Sequence, residues 1–339
     1  MKSWIAEAAD RDDWLAQTNE DPIVPEMEIV DPHHHMWNRD GTAYELGKLW
    51  QDTGAGHKVV QTVYIECGSN YYADVGAGFA PVGETAYAAG LAALAARDPS
   101  NAQIAGIVAH ADLRRENLCD VLDAHALIGG ELFKGIRHAL AWDDESSAFK
   151  IQSRGCAGLA YDTDFRRGLT LLGERGLTYD TWHYHHQNKD FLSLAKAVPG
   201  TTLVLDHFGT PLGVGQYAGK RDNIFAAWKD DMSALADCPN VIAKLGGMAM
   251  PDNGYGWHAL DTPISSSVFM EVQKQWYDYV IERFGPERCM FESNFPVDRA
   301  SIGYNVLWNG LKKIAAEYPP QVQAQMFAGT ARKVYRLPC

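Results

Sequence analysis

Short apolar runs of strand type alternate with longer helical segments along nearly the whole chain, and that alternation limits the fold more than any other feature. Strand-like runs fall at 28–31, 59–66, 104–109, 133–138, 177–182, 202–207, 241–245 and 289–294. Helical patterns fall at 84–97, 164–175, 189–198, 224–236, 268–284 and 302–318. Strands separated by helices form parallel sheets, because each crossover returns the chain to the same end of the sheet. Eight strands in this order fit a closed (β/α)8 TIM barrel better than an open sheet. A dinucleotide-binding sheet would carry Gly-x-Gly-x-x-Gly after its first strand, and none stands there. The 339 residues suffice for one barrel with insertions, so residues 1–339 are read as a single domain. Residues 3–17 suggest an extra helix capping the barrel. The Gly-, Pro- and Asp-rich segment 246–267 is a long loop after the seventh strand, expected over the active face as part of a lid or pocket.

The net charge of −13 argues against nucleic acid or an anionic membrane as partner, since neutralising phosphates needs clustered Lys and Arg. A small anionic substrate needs only one local cation and stays admissible. The six cysteines are scattered without a Cys-x-x-Cys pair, which reads as reduced thiols in a cytoplasmic protein. Residues 1–13 carry acids and no apolar run, against a signal peptide. No stretch approaches the roughly 18 apolar residues of a membrane helix. A homo-oligomer is left open.

Polar residues recur at the strand ends, where barrel enzymes place their sites. In Ile29-Val30-Asp31-Pro32-His33-His34-His35, alternation puts Ile29, Asp31, His33 and His35 on one face and His34 on the other. A strand ending in His-x-His offers two nitrogen donors to one point, half of a divalent-metal site. Strand two ends in Glu66, strand four in Arg137-His138, and strand five runs into Trp182-His183-Tyr184-His185-His186. Strand six ends in Asp206-His207, strand seven holds Lys244, and strand eight ends in Glu292-Ser293-Asn294. Parity turns Asp206 away from the His207 face, toward backbone donors. Lys244 inside a barrel demands a carboxylate, with Glu66 or Glu292 the expected partner. Trp37, Trp50, Trp142 and Trp182 are read as packing, or collectively as an aromatic pocket wall.

Asp-x-His-x-His after the first strand, Asp-His-x-Gly at the sixth and Met-Phe-x-Ser-Asn-x-Pro at the eighth together resemble the amidohydrolase superfamily. More narrowly, they resemble its amidohydrolase-2 branch, which includes sugar lactonases and the pyrone-dicarboxylate lactonase. The resemblance runs from about Glu28 to Arg332-Lys333-Val334-Tyr335 and takes in Lys134-Gly135-Ile136-Arg137-His138 and Ala243-Lys244-Leu245-Gly246-Gly247. It implies a divalent metal, zinc by expectation, on His33 and His35, with His185 as the match to a histidine after strand five and His183 second. It implies that His207 contacts substrate or attacking water, and that Arg137 holds a carboxylate or carbonyl oxygen, a task suited to a two-pronged guanidinium. His185, Glu66 and Lys244 join Arg137 as candidate substrate contacts. The implied substrate is a small molecule such as a carboxylated lactone.

One position departs from the pattern. The strand-eight residue that is usually Asp is Asn294, and a neutral amide ligates metal poorly and takes no proton. Glu292, then Asp298, are the expected substitutes for the missing carboxylate, with Asn294 kept as a hydrogen-bonding site residue. Three functions follow: a hydrolase opening a lactone or related cyclic ester, a metal-dependent decarboxylase of the same branch, or a barrel that binds a metabolite without turning it over.

Overall fold

The computed structural model describes residues 8, 10–39, 42–76 and 78–338. Eight parallel strands form one sheet in sequential order: β1 (Glu28–His34), β2 (Lys58–Ile65), β3 (Gln103–Ala109), β4 (Phe133–Arg137), β5 (Thr178–Thr181), β6 (Leu203–Leu205), β7 (Val241–Leu245) and β8 (Cys289–Phe291). The sheet closes beyond the end of β8, where Asn294 N–H donates to His33 O at 3.0 Å and His35 N–H to Phe295 O at 2.8 Å. Each strand is followed by a helix: α1 (Leu46–Thr53), α2 (Val82–Ala95), α3 (Leu118–Gly129), α4 (Thr163–Glu174), α5 (Asn188–Ala197), α6 (Arg221–Ala236), α7 (Ser266–Phe284) and α8 (Tyr304–Ala315). This is the (β/α)8 barrel that the alternation predicts.

Local chemistry sets the helices. Asp162 caps α4 by accepting from Phe165 N–H, and Phe165, Leu169 and Leu172 then recur at helical spacing to bury one stripe. Ser265 caps α7 in the same way through Val268 N–H. The strands divide their residues between two cores. Ile29, Tyr179, Leu205, Leu245 and Phe291 pack outward against the helices, while Val30, Val63, Val204, Ile242 and Met290 fill the barrel interior. The C-terminal helix Thr330–Tyr335 plugs that interior from below, and the Tyr335 hydroxyl reaches Asp180.

Much of the expected N-terminal helix over 3–17 lies outside the described residues; within them Ala8 and Asp12–Leu15 are helical. It sits on the active side: Arg11 donates to His258 O and Ala300 O, and Trp14 to Leu260 O and Asp261 O. Contrary to the expected alternation, Ile29 and Asp31 do not share a face with His33. The β1–β2 register shifts between Asp31 and His34, around a proline that cannot donate to the ladder. Asp31 therefore accepts from Ser293 N–H and the Tyr304 hydroxyl, while His33 turns inward.

Several histidines serve the fold in neutral form. His34 is sealed beside Tyr64, and burial pushes it down to about 3. His125, between the Thr85 hydroxyl and His110 O, and His183, between Thr181 and Asn188, are pushed down to about 4 by burial. The unfolded chain takes these protons near pH 6.5 and the folded chain does not, so their contribution is complete above that pH and lost as pH falls. Denaturant unfolding at pH 7.5 and 5.5 should show a stability loss on the order of 1 kcal/mol per buried histidine at the lower pH. Equal stability at the two pH values would contradict neutral burial.

Candidate active site

The inward residues at the C-terminal strand ends form one buried charge network. Lys244 from β7 lies 2.8 Å from Asp180 Oδ2 and 3.2 Å from Asp206 Oδ1. Arg137 from β4 donates through Nε to Glu66 Oε1 at 2.8 Å and through Nη2 to the Glu66 carbonyl. Its Nη1 lies 3.4 Å from His33 Nε2 and 3.6 Å from Asp206 Oδ2. Glu292 stands behind two imidazoles, with Oε1 2.7 Å from His207 Nδ1 and Oε2 2.8 Å from His33 Nδ1.

Burial and neighbours decide the charge states. Burial alone would raise Glu66, but Arg137 and Arg154 outweigh it and hold the group at about 2. Burial disfavours Lys244 as a cation, yet Asp180, Asp206 and Glu292 together keep it above the usual lysine value. Asp206 and Glu292 are less fully compensated. Burial pushes Asp206 up to about 6 despite Lys244, and Glu292 up to about 8. His207 is driven down to about 3 by burial, and His33 and His35 fall well below the ordinary histidine value for the same first reason.

Positive φ brings two of these side chains into place. Strand β6 stops at Leu205, and His207 at φ 54° and Phe208 at φ 58° turn the chain back. Asp206 thus keeps the inward parity of Val204 while His207 reaches the same space one residue later. The expectation that Asp206 faces away fails for this reason. Gly247, at φ 67°, makes room for the ring, since a Cβ there would overlap the His207 imidazole, and one on Gly246 would overlap Glu292.

Above the network lies a small cavity open to solvent. His35, Arg137, His207 and Asn294 form its polar wall, and Trp37, Ile151, Trp182, Met250 and Val297 its apolar one. Met250 belongs to the long loop after β7, which therefore does shape the pocket. Trp37 and Trp182 act as wall, whereas the Trp50 indole donates to Ala102 O.

The remaining predicted residues fall elsewhere. His185 does not join the imidazole group: its Nδ1 accepts from Leu212 N–H and its ring meets Tyr217 edge-on. The chain turns into a 3-10 segment at His185, so strand alternation no longer sets its direction. Lys244 is sealed beneath the cavity and pairs with Asp180 and Asp206 rather than with the expected Glu66 or Glu292. Asp298 does not line the cavity. Its oxygens accept from Ala249 N–H at 3.0 Å and from Asn294 Nδ2 at 2.9 Å. That bond uses one of the two amide N–H groups and fixes the side chain, and the Asn294 oxygen is available as an acceptor. Sequence reasoning missed Asp180, although it is the one acid within the fifth strand and Lys244 needed a partner. It also missed Arg154, which sits in a loop with no motif.

The residues fit a divalent cation. His33, Asp206 and His207 each place a ligand atom within 4.8 Å of the others. His33 Nε2 and His35 Nε2 are 3.2 Å apart, about the edge of a tetrahedron with metal–nitrogen bonds of roughly 2.0 Å. Both Asp206 oxygens and Glu292 Oε2 make no aligned hydrogen bond among the described residues, although Lys244 and His33 stand near them. Within the network, Arg137 and Lys244 are the buried cations, with the half-exposed Arg154 beside Glu66, and they face four carboxylates, Glu66, Asp180, Asp206 and Glu292.

The space beside Gly247 gives a direct test of this arrangement. Gly247→Ala should cost about 1–2 kcal/mol from its left-handed backbone and displace His207, lowering both the melting temperature and turnover. A variant with wild-type activity would show that His207 need not occupy its present position.

Comparison with known proteins agrees with the geometry. An L-fucono-1,5-lactonase of Burkholderia multivorans is 27% identical over 323 residues, covering 91% of this chain and 96% of that protein. A Burkholderia multivorans amidohydrolase crystallised with bound zinc superposes with a TM-score of 0.70 at 24% identity, covering 91% of this chain and 99% of the other. A Pseudomonas putida protein with the inferred activity of a 2-pyrone-4,6-dicarboxylic acid hydrolase superposes at 0.62 and 16% identity, covering 91% and 98%. The sequence pattern of the amidohydrolase family matches residues 30–337, nearly the whole barrel, and the chain belongs to that family.

Proposed function

We propose that the protein is a metal-dependent hydrolase that opens a lactone or related cyclic ester. The observation that carries the reading is the pair of converging imidazoles, His33 and His35, beside buried carboxylates that the fixed cations do not balance. His33 and Asp206, with His35 3.2 Å from His33, are the residues that would hold the ion, with zinc the expected metal. When bound, it supplies Lewis acidity to the ester carbonyl. His207 lines the cavity with Glu292 at its Nδ1, and with a bound cation keeping Glu292 ionised this leaves Nε2 to take a proton from water and return it to the leaving oxygen. Its low pKa keeps the ring unprotonated at neutral pH. Arg137 Nη1 can steady the carbonyl oxygen as charge develops on it. Asn294, as an acceptor, suits the attacking water or a substrate hydroxyl. Glu292 acts behind His207 rather than on substrate, so the missing strand-eight carboxylate is compensated through an imidazole. The relative with fucono-lactonase activity supports lactone opening over decarboxylation. The scattered cysteines, without a Cys-x-x-Cys pair, support a reducing, cytoplasmic setting, and no described helix is long and apolar enough to cross a membrane.

A panel of 1,5- and 1,4-lactones, followed by acid release with a pH indicator, should reveal at least one substrate. Carbon dioxide release from aromatic acids, with no lactone opened, would favour the decarboxylase instead. With a substrate in hand, Glu292→Gln should lower kcat about 10–100-fold, the usual cost of losing the carboxylate behind a working histidine. Asn294→Ala should cost less. The reverse order would move the essential role to Asn294. The His33→Ala/His35→Ala variant should keep near-native circular dichroism and lose all turnover. Retained activity would remove the metal from the account.

A further inference from the structure

The polar wall of the cavity is occupied by groups already engaged with one another. Arg137, the arginine expected to bind a substrate carboxylate, has its Nε and Nη2 on Glu66 and its Nη1 beside His33 and Asp206. Its side chain is only 7% exposed. A guanidinium committed in this way can touch a carbonyl oxygen at its rim but has no free fork for a carboxylate.

Arg154 differs on each count. It lines the same cavity with a side chain 43% exposed. Nη2 donates to Cys67 O at 3.3 Å, and Nη1 stands 3.7 Å from Glu66 Oε2, beyond hydrogen-bond distance. Arg137 holds Glu66 at 2.8 Å, so Arg154 shares that carboxylate only at longer range.

The loop that carries Arg154 is fixed in place. Asp252, in the loop after β7, accepts from Lys150 N–H and Ile151 N–H, both at 2.8 Å, and the Tyr184 hydroxyl donates to Ile151 O at 2.9 Å. Arg154 N–H donates to Ala141 O at 3.1 Å. The guanidinium is thus presented by a pinned segment, which lowers the ordering cost of binding a ligand.

We infer that Arg154 selects an anionic substrate, a compact ring bearing a carboxylate, over a neutral polyhydroxylated lactone. This rests on the hydrolase reading for the ring ester but not for the carboxylate. Trp37, Trp182, Ile151 and Met250 give flat apolar flanks suited to a ring and offer little to a run of hydroxyls. A carboxylate on that ring meets the one arginine of the cavity, among the described residues, that retains exposed donors. Its fork matches two oxygens at once.

Isophthalate is a flat dicarboxylate with no ester to hydrolyse, and isophthalamide has the same shape without charge. Calorimetric titration of each into the metal-replete protein reads recognition separately from catalysis. Isophthalate should bind about tenfold or more tightly than the amide, the scale of one charge-assisted contact. Arg154→Met should bring the two ligands level, and Arg154→Lys should keep part of the difference. Circular dichroism should be unchanged in both variants, since the side chain is partly exposed. An acid that binds no better than the amide, or a preference that survives in Arg154→Met, overturns the inference. If no lactone is hydrolysed but the Arg154-dependent preference remains, the hydrolase reading falls and this one stands.

Discussion

Two buried cations cannot balance four buried carboxylates, and the arrangement of the barrel mouth follows from that shortfall. Glu66 takes Arg137, and Asp180 takes Lys244 together with the Tyr335 hydroxyl. Asp206 shares both cations at longer range, and Glu292 is left to two imidazoles. Removing an ionised carboxylate from water costs several kcal/mol unless a charge or a set of donors replaces the solvent. The upward displacement of Asp206 and Glu292 is the signature of that unmet cost. A divalent ion beside His33 and His35 would meet it, and the same ion would make the site chemically active.

The fold supports this concentration of charge by keeping it off the flexible parts of the chain. Each member of the network is attached to a strand or to the first residues beyond one. The loops provide the walls instead. The segment after β7 contributes Met250 and the Asp252 clasp, and the segment after β4 contributes Ile151 and Arg154. Reactive groups thus sit on the stiff part of the barrel, where small errors in position are most damaging.

Strand order, barrel closure and most of the inward polar residues were legible in the sequence, because period-two alternation and the strand–helix rhythm are local properties. The failures occur where the backbone leaves that rhythm. Pro32 and the register shift beside it turned His33 off the face of Ile29 and Asp31, and left-handed backbone at His207 brought it beside Asp206. A 3-10 turn carried His185 away from the site. None of these has a period to detect. The pairing of Lys244 with Asp180 depended on which strands lie across the barrel, and Arg154 depended on the path of a long loop. Asn294 was legible as a departure, but its role required seeing Asp298 fix its side chain.

The balance of charge can be measured directly. Protein stripped of metal by a chelator and titrated with Co2+ should take up one ion per chain, develop visible absorption from nitrogen and oxygen ligation, and melt at a higher temperature when loaded. Asp206→Asn should bind markedly more weakly, since it removes an anionic ligand. Failure to take up a stoichiometric ion, or full uptake by Asp206→Asn, would contradict the account.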